Sequence, residues 1–328
     1  MTDHPHRTAE DPRRVVGVVL GVTAPLGLLL LAFALPATHS EPRDVPLGVV
    51  GPDAAVAQVE QRAAGFAVTT YADEQAAREA VLDREVYGAL VLGPDGVTTL
   101  TASAASATVA QVVTQVGSGI ATATGAEVVV EDVRAFPDDD PRGAGLAAGA
   151  LPLALGGFIG AMAISSVVRR PGVQAAALAA FAVTAGLTLT AILQFVLGTL
   201  DGSFWLASLG GVLGVAATAA TVLGLRTLLG TPGVVLAAVT IMLVGNPLSG
   251  LTSAPEMLPT PWGALGQLLP PGATGTLLRN LAFFDGAATL APALVLTGWL
   301  VLGAALFAAG VARRRTTLHA GVSPAHAG

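Results

Sequence analysis

The chain has 328 residues, of which 53% are hydrophobic and 12% are charged, and its formal net charge is -6 at pH 7. Soluble domains carry about one-quarter charged residues, so this composition predicts an integral membrane protein and excludes an ordinary soluble domain. The chain contains no cysteine, which excludes disulfides and thiolate sites. Every basic side chain is arginine, and without lysine the chain cannot form a P-loop nucleotide site of its own.

Apolar stretches long enough to cross roughly 30 Å of hydrocarbon as helices occur about six times along the chain. They cover residues 15–36, 145–168, 173–199, 204–225, 233–249 and 288–311. The first stretch follows Arg13 and Arg14 and is about 21 residues long, which exceeds the apolar region of a typical signal peptide. We therefore predict an uncleaved anchor rather than a cleaved leader, preceded by a cytoplasmic tail over residues 1–14.

The distribution of arginine predicts an orientation for these spans. If both termini are cytoplasmic, that side holds nine arginines and three acidic residues, and the other side holds seven arginines and 19 acidic residues. Cytoplasmic connections are enriched in basic residues, so the pattern predicts six spans in the cell membrane, with a second cytoplasmic tail over residues 313–328. The cytoplasmic arginines would be Arg7, Arg13, Arg14, Arg169, Arg170, Arg226, Arg313, Arg314 and Arg315.

Residues 37–143 are then extracytoplasmic, and they alternate between strand-like and helix-like segments. The expected strands are VPLGVVG, FAVTTYA, YGALVLG and AEVVVEDVRAF, and the expected helices are DAAVAQVEQRAAG, DEQAAREAVLDREV and SATVAQVVTQVGSGIATA. Asp53 is the expected N-cap of the first helix, and the residues from Gly93 to Gly96 predict a turn. The alternation predicts a small α/β domain, inserted before a five-helix membrane domain over residues 144–312.

The interiors of the predicted spans carry no ionisable side chain. This disfavours an ion-coupled transporter, because such proteins keep charged groups near the membrane midplane. Gln194 is a candidate for a substrate path, although a polar residue near a helix end more often forms an interhelical hydrogen bond. Two GxxxG patterns, Gly156 with Gly160 and Gly210 with Gly214, predict close helix packing, for which packing within one subunit is the simpler explanation.

Patterns that carry catalysis or bind metals are missing from the sequence. All five histidines lie in the terminal tails or beside the first span, and none has metal-ligand spacing within a folded segment. The cluster Asp138-Asp139-Asp140 is better explained as a solvated linker than as a calcium-binding loop. We therefore expect no enzymatic activity, no cofactor and no nucleic-acid partner.

The stretch from Asn246 to Asn280 is too apolar for a solvent loop and too interrupted for a span, with six prolines and five glycines. Irregular backbone at membrane depth must be enclosed by protein or water, so we predict a re-entrant hairpin over about residues 251–285 on the outer face. A loop that lies flat on the membrane is the alternative. We expect Pro270-Pro271-Gly272 to form the turn, and Arg279 to lie near the outer interface, where it pairs with Glu256 or a phosphate. The candidate gate residues are Asn246, Pro247, Glu256, Pro259, Pro270, Pro271 and Arg279.

A single span, an outer α/β domain and five further spans form a layout similar to that of ABC-2-type transporter permeases, especially the YhgE/Pip (phage infection protein) branch. The segments PLGVVGPD and ADEQAAREAVLDREVYGALVLGPD resemble the outer domain of that branch. A second similarity lies in the proline-spaced segment before the last span, at Pro255, Leu258, Pro259, Pro261, Leu269, Pro270, Pro271 and Arg279. The resemblance covers almost the whole chain. It implies export or flipping of a hydrophobic or lipid-like substrate, a separate P-loop ATPase subunit, a re-entrant element, and a homodimer or a heterodimer with a related permease.

One departure from that family concerns the ATPase. Typical ABC-2 permeases carry a longer charged segment between spans two and three that docks on the ATPase, whereas this chain has only VVRRPGV. Arg169 and Arg170 are therefore the candidate ATPase-facing residues. The alternative function is a non-transporting membrane scaffold or surface receptor whose outer domain binds a protein partner. Membrane lipid is an expected contact in both cases.

Overall fold

The computed structural model describes residues 12–38 and 40–320. The α-helices are α1 Pro12–Thr38, α2 Asp53–Arg62, α3 Glu74–Leu82, α4 Ala107–Thr124, α5 Ala144–Val167, α6 Pro171–Ala191, α7 Phe204–Leu229, α8 Thr231–Ala238, α9 Trp262–Gln267, α10 Pro270–Phe283 and α11 Leu290–Ala320. The strands are β1 Val45–Val50, β2 Phe66–Thr70, β3 Gly88–Gly93, β4 Gly96–Thr101 and β5 Val128–Asp132. Two π-helical segments, Ile192–Val196 and Val239–Gly245, extend α6 and α8, and 3-10 turns lie at Pro247–Ser249 and Pro255–Met257.

The strands form one five-stranded sheet in the order β2-β1-β3-β4-β5. β1 pairs in parallel with β2 and β3, β4 runs antiparallel to β3, and β5 runs parallel to β4. The side chains of Leu47, Leu90 and Leu100 on the strands are fully buried, as are Val81 on α3 and Val113 on α4. The five strands and the helices α2, α3 and α4 form a sheet unit distinct from the long apolar helices, so the prediction of a separate α/β unit is confirmed.

Local sequence signals explain where the helices of this unit begin. The carboxylate of Asp73 accepts a hydrogen bond from the Ala76 backbone N–H at 2.8 Å, which caps α3. The Ser106 hydroxyl caps α4 in the same way. The expected cap of α2 was wrong: Pro52 occupies the N-cap position, and Asp53 is the first helical residue without a side-chain cap bond. At that position its carboxylate still lies in the first turn, where negative charge is favourable.

Strand β4 was not predicted. It begins directly after the two-residue loop Pro94-Asp95, and Gly93 pairs with Gly96 across the hairpin. Its sequence, GVTTLT, contains β-branched residues that favour a strand, so the signal was present after the turn. β5 pairs with β4 and is therefore the last strand of the sheet, at its edge.

Within the described residues, three helices are long and apolar enough to cross a membrane: Pro171–Val196, Phe204–Leu229 and Leu290–Thr316. Two shorter apolar stretches are Pro152–Val167, which is part of the 24-residue α5, and Thr231–Gly245. A helix of about 15 residues, such as Thr231–Gly245, covers roughly 23 Å, which is less than the roughly 30 Å of a bilayer core. The prediction of six spans is therefore not supported, whereas the three long helices agree with a membrane protein.

Helix α7 is the centre of the helical part. In the most apolar 18-residue stretch of α7, 72% of the residues are buried. The corresponding share is 28% in the helix formed by α6 and its π-helical extension, and 17% in α11. Small residues allow this crowding, because Gly211 of α7 lies against Gly186 of α6, and Gly224 lies against Gly303 of α11. The helices around α7 consequently expose apolar side chains outward, as expected for surfaces that face lipid.

Basic residues collect at one end of this bundle. Arg226 in the last turn of α7 donates hydrogen bonds to the Ser165 hydroxyl and, at 3.1 Å, to the Met162 carbonyl near the end of α5. The Arg314 guanidinium donates to the Thr227 carbonyl at 3.2 Å. Helix α5 begins beside the α/β unit, so these arginines at its far end lie opposite that unit.

Candidate functional site

The segment between α8 and α11 is built from short helical pieces that have a proline at their first residue or, in α9, just before it. Pro247 and Pro255 open the two 3-10 turns, and Pro270 is the first residue of α10. Proline is favoured at the first position of a helix because its fixed φ suits the helix and its missing N–H has no partner there. The proline spacing noted in the sequence therefore marks helix starts.

The turn of the predicted hairpin lies two residues earlier than expected. Pro270, Pro271 and Gly272 were predicted to form it, but they are the first turn of α10. Helix α9 ends at Gln267, and Leu268 and Leu269 make the connection. Two consecutive prolines cannot donate backbone hydrogen bonds, which is compatible with a helix start because the first N–H groups of a helix have no intrahelical partner.

Contacts along α7 and α11 support a hairpin that enters the bundle. The Trp299 indole N–H donates to the Leu268 carbonyl at 2.7 Å, and Gly214 of α7 lies directly against Thr274 of α10. With about 1.5 Å of rise per residue, both contacts lie roughly 14 Å from the first residues of α11 and α7. The depth of the hairpin in a membrane stays a prediction, but its turn contacts α11 well away from the end of that helix.

Helix α10 is enclosed by protein. Twelve of its 14 residues are buried, and Leu251 packs against Gly275 in its middle. The turn is different, because the Leu268 side chain is 57% exposed. Protein encloses the backbone of α10, as required at membrane depth, and the Leu268 carbonyl in the turn is satisfied by the Trp299 indole.

The α/β unit docks on this segment through hydrogen bonds. The backbone N–H of Arg43 donates to the Glu256 carbonyl at 3.0 Å, and the N–H of Glu41 donates to the Met257 carbonyl at 3.2 Å. The Tyr87 hydroxyl donates to the Glu256 carboxylate at 2.8 Å. The residues just before β1 and just before β3 therefore hold the second 3-10 turn from the side of the sheet.

A second group of contacts holds the end of α10. The rings of Phe136 and Phe283 meet edge to face with their centroids 5.5 Å apart. The Arg134 guanidinium lies 3.1 Å from the Asp285 carboxylate, in an exposed ion pair that is worth little by itself. The α/β unit therefore contacts the segment both before α9 and at the end of α10.

A cavity of about 490 Å³ lies between the docked unit, the hairpin and the start of α11. Its polar lining consists of Arg43, Arg84, Glu85, Tyr87, Glu256, Thr260, Gln267, Thr276, Arg279 and Asn280. Its apolar lining includes Pro46, Leu258, Leu268, Ala291, Pro292 and Val295. The volume is within the range of roughly 300–1,000 Å³ that is typical of ligand sites in proteins.

Arg279 contributes a buried positive charge to this cavity. The side chain is 5% exposed, and its guanidinium donates to the Leu251 carbonyl at 3.0 Å. Its Nε atom is buried and has no hydrogen-bond partner. The expected ion pair with Glu256 is not formed in the structure, because that carboxylate accepts the Tyr87 hydroxyl instead.

Arg84 faces the same cavity from the α/β unit. It follows α3 in a left-handed conformation with φ of 64°, where glycine is the usual residue. The N–H groups of Arg84 and Glu85 donate to the Val81 and Ala80 carbonyls at 3.2 and 2.9 Å, which is the bond pattern of a Schellman helix end. The Arg84 guanidinium then lies over the rings of Tyr87 and Phe284.

Tyr87 lies between charged groups of the cavity, because its hydroxyl donates to Glu256 and its ring lies under the Arg84 guanidinium. Burial raises the pKa of its hydroxyl well above the ordinary value, and the adjacent Glu256 carboxylate raises the pKa further. The phenol therefore stays protonated at neutral pH and serves as a donor. Neither Arg84 nor Tyr87 was predicted from the sequence. The only local signal was an arginine at a position after α3 where glycine is normal.

The glycine pairs pack within the chain. Gly210 and Gly214 lie against α10, and Gly160 lies against Phe181 of α6, whereas Gly156 has only one ordinary contact, with Leu189.

Of the predicted gate residues, Glu256 and Arg279 line the same cavity from different parts of the hairpin segment.

The remaining predicted site residues do not line the cavity. Gln194 is in the π-helical segment after α6, and its amide N–H donates to the Gly202 carbonyl at 3.0 Å. Asn246 follows the second π-helical segment, and its carbonyl accepts from the Ser249 hydroxyl at 2.7 Å. Pro259 accepts a bond from the Trp262 N–H at 2.8 Å.

Arg169 and Arg170 lie in the short connection between α5 and α6, at the basic end of the bundle. No cluster of three or more metal-ligating side chains occurs in the part of the chain that the structure describes. No protein-family model matches the chain, and comparisons with curated proteins and with solved structures give no match. The function must therefore be argued from the cavity, the hairpin and the charge distribution.

Proposed function

We propose that the chain is a membrane permease subunit similar to ABC-2 exporters, which moves or flips a lipid-like substrate with the help of a separate ATPase. The proposal includes six membrane passes, counting α1, α5 and the α8 segment with the three long helices. It also includes cytoplasmic termini and assembly as a dimer. The ATPase and the dimer are taken from the family resemblance, and the six passes and the cytoplasmic termini from the pattern of apolar stretches and arginines in the sequence.

The observation that carries the proposal is a cavity between a docked outer unit and a hairpin inserted among long apolar helices. Irregular backbone inside a bilayer is tolerated where it lines a cavity or is buried in protein, and α10 meets that condition. The cavity has charged groups on one side and apolar residues of α11 on the other. Such a lining suits a substrate with a polar and an apolar part.

The charge distribution supports the proposed orientation. Arg226 and Arg314 lie at the end of the bundle opposite the α/β unit, and the connection with Arg169 and Arg170 lies at that same end. Arginine is enriched on the cytoplasmic side of membrane proteins. The cavity would then open on the outer half of the membrane, where an exporter releases its substrate.

Purification of the tagged full-length chain from its native membrane tests the proposal. We expect a P-loop ATPase to co-purify, and the complex in proteoliposomes to move a fluorescent phospholipid analogue only when ATP is present. Replacing both Arg169 and Arg170 with alanine should reduce ATPase recovery about tenfold, which corresponds to about 1.4 kcal/mol of binding free energy. Arg142→Ala, an exposed arginine near the other end of α5, is the control and should have no effect.

The edge of the sheet favours a second function, that of a membrane scaffold or surface receptor which binds a protein partner. β5 is an edge strand, and its residues Val128, Val129 and Val130 are 39%, 59% and 46% exposed. Exposed apolar edge strands are pairing sites for another chain. If purification yields an outer-face protein partner and no ATPase, the chain is a scaffold or receptor and the permease proposal is wrong.

A further inference from the structure

The cavity between the α/β unit and the hairpin contains two arginines without a counter-ion. Neither the Arg84 nor the Arg279 guanidinium forms an ion pair with a carboxylate in the described part of the chain. The Nε atoms of both are buried and have no hydrogen-bond partner. Arg279 is buried and Arg84 is half-buried beside it. A buried charge that lacks a partner is costly, so Arg279 above all indicates a missing anion next to these two groups.

The carboxylates of the cavity do not supply that anion. Glu256 accepts the Tyr87 hydroxyl at 2.8 Å, and Glu85 is exposed and lies 3.4 Å from the Tyr71 hydroxyl. Arg43, a third arginine of the lining, already pairs with Glu41 at 3.6 Å, whereas neither Arg84 nor Arg279 forms an ion pair with Glu85 or Glu256. Phosphate and carboxylate groups match the planar fork of donors on arginine.

The position of Arg84 is a second indication. Its left-handed backbone conformation is one that glycine adopts without strain and arginine adopts at a cost. An arginine in this place holds its guanidinium over the rings of Tyr87 and Phe284 and fixes it at the cavity wall. A preorganised guanidinium loses less side-chain entropy when it binds an anion.

The cavity wall opposite the two arginines is apolar, and it indicates what kind of group would be attached to the anion. Leu258, Leu268 and Val295 line the cavity on the hairpin and α11 side, and the exposed Leu268 side chain continues this apolar surface to the outside of the protein. An apolar chain attached to the anion would lie along this wall, because burial of methylene groups is favourable.

We propose that the cavity binds an anionic amphiphile, with its phosphate or carboxylate group between Arg84 and Arg279 and its apolar chain along Leu268 and Val295. As a statement about the transported substrate, this inference rests on the proposed function. Binding itself does not require an ATPase, so a binding measurement on the full-length chain alone separates failure of the site from failure of the transport proposal.

The test uses the purified chain in a neutral detergent and three probes: inorganic phosphate, dodecyl phosphate and uncharged dodecanol. Native mass spectrometry and thermal melting should detect dodecyl phosphate, and binding should be about tenfold to a hundredfold weaker in Arg84→Met and in Arg279→Met, as expected for loss of a charge-assisted hydrogen bond. Arg134→Met removes an arginine that links the unit to the hairpin outside the cavity, and it should bind as the unchanged chain does.

The outcomes are distinct. Equal binding of dodecanol, or equal binding by Arg84→Met and the unchanged chain, would overturn the proposal. Inorganic phosphate binding as tightly as dodecyl phosphate would show a free-anion site and overturn the amphiphile assignment. If Arg279→Met does not fold because the Leu251 carbonyl loses its donor, Arg84→Met decides the matter. In nanodiscs, preference for phosphatidylglycerol over phosphatidylcholine would identify a lipid headgroup as the source of the anion.

Discussion

Replacing Gly303 with leucine is expected to unfold or strongly destabilise the helical bundle. A Cβ atom on Gly303 would lie 2.5 Å from the Thr221 backbone nitrogen and 2.6 Å from the Ala220 carbonyl oxygen of α7. Backbone atoms cannot rotate away as side chains do, so α7 and α11 would have to separate. Overpacking a core costs about 1–3 kcal/mol and sometimes more, and helix association in membranes depends on close packing.

The control for this change is Gly298→Leu on the same helix. Gly298 is exposed, and a Cβ atom there would meet nothing within 4 Å. Thermal unfolding in detergent should be monitored by tryptophan fluorescence. The midpoint temperature of unfolding should decrease strongly for Gly303→Leu and change little for Gly298→Leu. Similar midpoints for the two variants would contradict the packing of α11 on α7.

Replacing Gly266 with alanine is expected to destabilise the hairpin, although alanine normally stabilises a helix. Alanine is favoured over glycine in helix interiors by about 1 kcal/mol. At this position, however, a Cβ atom would overlap the backbone carbonyl of Leu248, because α9 packs directly on the first 3-10 turn. We expect the steric term to win and the free energy of unfolding to fall by about 1–3 kcal/mol.

Gly119→Ala provides the matched comparison. Gly119 is an exposed residue within α4, and a Cβ atom there would meet nothing within 4 Å. The same chemical change should therefore leave stability equal or slightly higher at residue 119 and lower it at residue 266. The hairpin packing described above is refuted if both changes have the same sign.

The α/β unit was largely predictable because its signals are local. The strands β1, β2, β3 and β5 followed from short apolar runs between turn residues, and α2, α3 and α4 were predicted between them, although the caps Asp73 and Ser106 were not. β4 was not predicted, because its threonine-rich sequence lacks the continuous apolar run that indicated the other strands. The number of spans was less predictable, since apolar length alone did not reveal the π-helical end of α8 at Gly245.

The candidate site was predictable only in part. Glu256 and Arg279 stood out as the two charged residues of an apolar segment. Their surroundings did not, because Tyr87 lies 169 residues from Glu256 in the chain and reaches it only through docking of the α/β unit. Long-range contacts of this kind leave no periodic pattern in the sequence, so the cavity and the role of Arg84 required the fold.

The central claim is that the segment before α11 forms a hairpin that enters the membrane and returns. Nitroxide labels at residues 262, 265 and 268 should be measured for accessibility to oxygen and to a nickel chelate, with labels at 290, 294, 298 and 301 on α11 as an internal depth scale. Because the Leu268 carbonyl accepts the Trp299 indole N–H, the label at 268 should match the depth of the label at 298. Depth should increase from residue 262 to residue 268. A label at 268 as shallow as the one at 290 would contradict the account.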